Sequence, residues 1–352
     1  MPRFLTPLFL GLCLLGVACV GDTKGDKRLP KTFRAQLGPS RVSDRLRTVV
    51  PEHSRSITIV VSGAADVLYA LASFTVGGTE LVDLPPEALA DRLHTAYFEE
   101  GTAQPSRSPL QSARLGTFTF VYPYAPGQPL PAGPLEFRIA ASRAHSDVWI
   151  SVLMPEDDGA RALHLNVLMA REHESRVQRS APAFMLAAQA IFAQAGIALH
   201  LDDVVALPGT GLSSVPTLTE PWESPSGPMA RLAQLGQAQV EGAGLNVYVV
   251  EALPAGSDGV SLGLPGPPLP QSPYWGVVLR SAEPQALGRT LAHEVAHFLG
   301  LRHVRTVRPS GVVLSDGIDD TEPDGSNLME HGDRLTPGQI YTLSRSPLLR
   351  QR

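Results

Sequence analysis

Three histidines at positions 293, 297 and 303, with a glycine at 300 between the last two, constrain this chain more than any other feature. The segment reads His293-Glu294-Val295-Ala296-His297-Phe298-Leu299-Gly300-Leu301-Arg302-His303. Pro284 stands near its start and Gly300 near its end, the asymmetry of a helix that begins with a proline and stops at a glycine. Residues four apart on a helix face the same way, so His293 and His297 can aim a ring nitrogen at one ion. Glu294 is rotated by about 100° from His293, close enough to reach a water on that ion without being a ligand. A helix continuing past His297 would carry His303 about 240° round its axis. His303 therefore joins the pair only if the helix ends and the chain bends back, and Gly300 is where a left-handed turn costs least. Three neutral imidazoles on Zn²⁺ leave an open position, which suits a catalytic site better than a closed structural one. A water there is acidified and a peptide carbonyl can be polarised, with Glu294 placed as general base. His-Glu-x-x-His alone arises by chance in roughly 4% of chains this long; the glycine and the third histidine lower that by a factor of about 400.

Composition sets the frame around this segment. The chain has 352 residues, 43% of them hydrophobic and 18% charged, enough for two globular domains with sizeable cores. A net charge of -5 without a long basic run argues against a nucleic-acid partner. Arg3 followed by the apolar run Phe4 to Val17, too short to span a bilayer, reads as an export signal. Its end, Leu15-Gly16-Val17-Ala18-Cys19, resembles a bacterial lipobox, with Leu15 one position early. That resemblance implies a lipid on Cys19 and a membrane anchor on an exported, cell-envelope protein; the alternative is an ordinary cleaved signal and a secreted protein. Cys13 and Cys19 are the only cysteines, so the mature chain is expected to form no disulfide and to have no thiol that could block a metal.

Residues 20–50 are polar with mixed charge and read as a poorly ordered tether. Residues 51–160 change to short β-rich segments at Ser56 to Ser62, Tyr69 to Val76, Gly116 to Tyr122, Leu135 to Ala141 and Asp147 to Leu153, which predict an all-β sandwich-like domain. Pro85 to Tyr97 reads as one helical insertion. Residues 161–352 change again, to strands alternating with helices: a buried strand over Leu163 to Ala170, then a helix capped by Ser180 and ended by Gly196. Strands over Ile197 to Leu207, Leu245 to Glu251 and Tyr274 to Arg280, with a helix over Met229 to Glu241, complete an α/β layer. Pro208 to Pro228 and Pro254 to Pro273 read as surface insertions or substrate-facing loops.

The histidine segment is similar to the extended zinc signature of the metzincin metallopeptidases, and the similarity covers roughly residues 162–352. It implies a mixed twisted sheet carrying an active-site helix, a zinc cofactor and a protein or peptide substrate. It also implies a tight methionine turn beneath the metal, matched by Asn327-Leu328-Met329, 26 residues after His303. Met329 would be a hydrophobic base, not a ligand. Asp316-Gly317-Ile318-Asp319-Asp320-Thr321-Glu322-Pro323 and Leu335-Thr336-Pro337-Gly338-Gln339 look like the pappalysin branch, although its usual disulfides cannot form here. Asp316, Asp319, Asp320 and Asp324 offer hard oxygen ligands for Ca²⁺, against the plainer reading of solvated loop acids. His331 stands where some metzincins place a tyrosine that approaches the metal, against the plainer reading of a surface histidine. The function expected on these grounds is zinc-dependent endopeptidase. The competing expectation is a surface-anchored binding lipoprotein with an idle zinc site. The β domain would position substrate, contact the envelope, or cover the cleft until removed.

Overall fold

The computed structural model describes residues 30–64, 67–83, 111–113, 116–159, 161–170, 174–207, 228–240, 242, 244–253, 256–272, 274–307, 311 and 313–350. The export signal with Cys13 and Cys19, and the helix expected over Pro85 to Tyr97, lie outside these residues. Among the described residues no helix is long and apolar enough to cross a membrane.

The amino-terminal part is a pair of antiparallel sheets. Its strands are β1 (Lys31–Leu37), β2 (Leu46–Val50), β3 (Ile57–Ser62), β4 (Tyr69–Val76), β5 (Thr79–Asp83), β6 (Gln111–Ala113), β7 (Thr117–Tyr122), β8 (Gly133–Ala141) and β9 (Ser146–Leu153). One sheet has the order β1-β9-β3-β7-β6 and the other β2-β8-β4-β5. Side chains alternate across an antiparallel strand. In β9, Val148, Ile150 and Val152 accordingly point into one core while Trp149 stays exposed. That core also takes Leu71 and Phe74 from β4, Phe137 and Ile139 from β8, and Phe118 and Phe120 from β7. Rings from the two sheets meet edge to face, with Phe74 5.0 Å from Phe120 and Phe33 5.9 Å from Phe137.

The tether expected over residues 20–50 is corrected from residue 31 onward. β1 pairs with β9 along its whole length and β2 with β8. Ala35 and Leu37 bury their side chains while Lys31, Thr32, Arg34 and Gln36 do not. The alternation is real, but the polar outward face hid it.

The carboxy-terminal part is mixed α/β. Its elements are β10 (Ala162–Ala170), α1 (Glu174–Phe192), β11 (Ala198–Leu207), α2 (Pro228–Gln239), β12 (Leu245–Val250), β13 (Gly259–Ser261), β14 (Val277–Arg280), α3 (Pro284–Phe298), β15 (Arg305–Val307), β16 (Val313–Ser315) and α4 (Pro337–Ser344). The main sheet runs β11-β10-β12-β14-β13, parallel except for β13, which pairs antiparallel with β14. β12 is buried at every position because the sheet is covered on both faces. Leu165, Val247 and Val277 face α1 and α3, and Tyr248 and Val278 face Leu232 of α2. α1 and α3 pack closely at Gly288, where a Cβ would stand 2.4 Å from the Phe184 carbonyl oxygen and 2.5 Å from Ala187 Cβ.

Two further expectations shift. Ser180 does not cap α1: the helix starts at Glu174, and the Ser180 hydroxyl donates instead to the Val177 carbonyl at 3.2 Å. Within Pro254 to Pro273, read as loop, β13 forms, and β15 with β16 makes a small hairpin after His303.

The two parts are joined by buried polar contacts. Arg55, 3% exposed, donates from Nη2 to the carbonyls of Ser346 at 3.0 Å and Leu349 at 2.8 Å. Arg345 Nη1 donates back to the Arg55 carbonyl at 2.9 Å, and Ser56 Oγ donates to the Arg345 carbonyl at 2.6 Å. Thr342 Oγ1 donates to the Tyr124 carbonyl at 2.6 Å, and Tyr124 is buried in the core of the α/β part.

Candidate metal centre

α3 forms where the sequence predicts. Pro284 takes the first turn, and Leu287, Leu291, Val295 and Phe298 bury one face against the sheet and α1. His293 and His297 emerge one turn apart, their rings 4.6 Å between centroids and perpendicular. The helix ends at Phe298, and Gly300 adopts φ 120°, a value that side-chain-bearing residues rarely reach. Its amide bonds the His297 carbonyl and that of Leu301 bonds the Ala296 carbonyl, both at 2.9 Å. This turn brings His303 back to the helix, as the spacing required.

The ring nitrogens then converge. His303 Nε2 lies 3.1 Å from Nε2 of His293 and 3.1 Å from Nε2 of His297. In a tetrahedral zinc site with bonds near 2.05 Å, ligand nitrogens stand about 3.3 Å apart, so this spacing matches. The opposite nitrogens are engaged by main chain. His293 Nδ1 donates to the Leu328 carbonyl at 2.7 Å, and His297 Nδ1 to the Leu301 carbonyl at 2.6 Å. Those bonds place the ring protons on Nδ1 and leave both Nε2 atoms as bare acceptors facing a third imidazole. Mutual repulsion of such lone pairs is relieved by a cation between them. Among the described residues, these three histidines are the one group of three or more potential ligands whose donor atoms lie within 4.8 Å of one another. The site could hold a metal ion.

Burial keeps the rings neutral. Loss of solvation pushes His293 down to about 4, against the opposing pull of the Leu328 carbonyl, and pushes His297 well below its ordinary value. His303, the most exposed of the three, is lowered by desolvation and then by nearby His331. Neutral imidazole is the form that binds a metal. Glu294 is 7% exposed, and burial pushes its carboxyl up to about 8 while the Ser261 backbone pulls the other way. β13 supplies the close wall on that side: a Cβ on Gly259 would stand 2.6 Å from Glu294 Cγ and 2.9 Å from its Oε1.

Met329 is fully buried in the core that supports α3, and its turn reaches the site through the preceding carbonyl, that of Leu328. The turn is fixed by Asn327, whose Oδ1 accepts from the Met329 amide at 2.9 Å. Asn327 and Gln339 exchange side-chain amide hydrogen bonds in both directions, at 3.0 and 2.9 Å, and both are buried. Gln339 also closes a capping box with Thr336 at the start of α4. Neither Asn327 nor Gln339 stands out in the sequence as a partner of the metal centre. The readable signal was Thr336-Pro337-Gly338-Gln339, a capping-box spacing.

Among the described residues, Asp316, Asp319, Asp320 and Asp324 form no group of three whose oxygens lie within 4.8 Å of one another. Asp316 is buried and its Oδ1 accepts from the Ile318 amide and the Thr321 hydroxyl, while burial pushes its carboxyl up to about 6. Asp320 accepts from Thr336 Oγ1 at 2.7 Å and from the Gly338 amide at 2.8 Å, at the positive end of α4. Asp319 is exposed, and Asp324 accepts from Ser326. The second oxygen of Asp316, Oδ2, is buried without a hydrogen-bond partner. His331 is exposed at the rim, near enough to depress His293 and His303.

No protein-family model matches the chain and no curated protein is similar to it. Among solved structures, the crystal structure of metalloproteinase-II from Bacteroides fragilis is similar over 76% of this chain and 77% of that one, at 10% identity and a TM-score of 0.31. A likeness this loose carries no argument for fold or activity; the histidine geometry stands alone.

Proposed function

We propose that this chain is a zinc-dependent endopeptidase of the metzincin type, with His293, His297 and His303 as ligands and Glu294 as general base. The observation that carries the reading is the meeting of three Nε2 atoms, two of them stripped of protons by main-chain carbonyls behind their rings. Zinc bound there supplies Lewis acidity and lowers the pKa of water. Glu294, on the same helix and walled by β13, would give up beside a bound cation the proton it holds in the metal-free site, and would then take the proton of the attacking water and return it to the leaving amine. The protein is further proposed to be exported and held at a membrane by a lipid on Cys19. Replacing Cys19 with Ser should release it from the membrane fraction, and unchanged membrane retention would refute the anchor.

The test of catalysis is digestion of a peptide library by the full zinc-loaded chain. Cleavage should stop on chelation and return with zinc. Glu294→Gln should keep the metal and lose roughly 10²- to 10⁴-fold in rate. Zinc-loaded protein that cleaves no peptide would overturn the peptidase reading and favour a binding role.

A further inference from the structure

We infer that the amino-terminal β part is a permanent brace of the metal centre, acting through α4, with Gln339 and Asn327 as positioning residues for His293. The inference rests on the reading of His293 as a ligand and goes beyond it, because it assigns a role to the part of the chain that the metal chemistry leaves unexplained.

The argument follows an unbroken line of contacts. At one end, Arg55 grips the carbonyls of Ser346 and Leu349 just past α4, Ser56 and Arg345 close the return bonds, and Thr342 within α4 is tied to Tyr124. Residues 162 and 350 also bridge in both directions, at 3.0 and 2.9 Å, so the strand that opens the α/β part holds the same tail. At its other end α4 presents Gln339 to Asn327 through two reciprocal amide bonds. Asn327 holds the Met329 amide through Oδ1 and accepts the Gly332 amide at its own carbonyl, at 2.9 Å. Between them sits Leu328, whose carbonyl fixes the His293 ring.

A partner with only a steering or adhesive role has no need of these bonds, and a cover to be removed would leave them broken. Loss of Arg55 would take its donor from the Leu349 carbonyl and leave that of Ser346 with the Leu349 amide at 3.4 Å, and loss of Tyr124 would leave a hole in the core of the α/β part. An amide pair that is fully satisfied fixes one geometry, and half of it left unpaired in a buried site is costly. Tilting α4 would therefore pull Gln339 from Asn327 and swing the Leu328 carbonyl away from His293.

The test uses the full-length chain, with Arg55→Met, the milder Thr342→Val, and Gln339→Ala against Gln339→Glu. Hydrogen exchange of the metal-free protein reads the turn directly. Arg55→Met and Thr342→Val should speed exchange at residues 327–332. Cobalt titration reads the ligand set. All of these variants should bind Co²⁺ roughly 10- to 100-fold more weakly than the parent, the range for loss of an orienting partner. Gln339→Glu, which can still accept from Asn327, should fall between parent and Gln339→Ala. Exchange at 327–332 unchanged in both Arg55→Met and Thr342→Val, with loosening confined to 345–350, would overturn the brace. A parent that binds no cobalt would sink the metal reading, while the exchange data would still judge the brace.

Discussion

The β part and the α/β part bury different chemistry. In the first, the buried polar residues among those described are hydroxyls, such as Thr58, Thr117 and Thr119, together with Arg55. In the second they include amides, carboxyls and an imidazole: Asn166, Asn246, Glu294, His297, Asp316, Asn327 and Gln339. An antiparallel pair of sheets satisfies its backbone by ladders and fills its interior with apolar side chains, so it asks little of buried polar groups. Amides and charges are put inside only where each finds a partner. Asn166 and Asn246 pair within the sheet, while Glu294, His297, Asn327 and Gln339 gather on or beside α3 and α4 and mark where the molecule sacrifices apolar packing for position.

That contrast can be broken in four ways. His297→Ala should cost most: the metal should be lost on elemental analysis and peptide hydrolysis should fall by several kcal/mol of transition-state stabilisation, on the order of 10³-fold or more. Retained zinc with retained turnover would show that the buried imidazole is no ligand. Phe120→Ala, in the opposite part, should lower stability by about 3–5 kcal/mol in denaturant titration, because the ring is fully buried against Phe74. Its bound zinc per folded molecule should stay at the parental value, which separates core from site. Gly259→Ala should leave metal content alone and cut turnover by roughly 10- to 100-fold, since the added methyl stands within 3 Å of both Cγ and Oε1 of Glu294.

The smallest effect is read in the metal-free protein as pH rises. The Glu294 carboxyl is raised from 4.5 to about 8 by burial, so across this range the folded form keeps a proton that the unfolded chain has released. Its contribution is complete below the unfolded value and is lost as pH climbs through 8. His293, His297 and His303 are lowered in the fold, so the unfolded chain releases its histidine protons near 6.5 and their contribution grows with pH, opposing that of Glu294. In melts between pH 6.5 and 8 the parent should therefore lose about 2 kcal/mol relative to Glu294→Gln, which keeps the histidine contribution and lacks the carboxyl. An unchanged slope in that variant would place the proton elsewhere.

Much of this was legible from the residues. The strand Leu135 to Ala141 alternates in burial as far as Ile139, and β12 is an apolar run broken only by Asn246, which suits a strand covered on both faces. β1 and β2 were hidden because their outward positions are Lys31, Arg34, Gln36 and Arg47, which locally resemble a linker. β13 is three residues long amid prolines and glycines, and its strand character comes only from pairing with β14. At the site, the meeting of the three histidines and the glycine turn follow from helical geometry. What no spacing could reveal is the pair of carbonyls behind the rings, since every residue carries one, or the Asn327–Gln339 exchange, which depends on where α4 docks.

The two imidazoles on α3 are aimed by main-chain oxygens of Leu301 and Leu328. Such acceptors are indifferent to the side chain they accompany, so exchanging either leucine for another apolar residue of similar bulk leaves the aim untouched. Heritable change reaches these rings through whatever moves the two carbonyls, such as the Asn327–Gln339 pair that holds the turn, and not through the leucine side chains themselves.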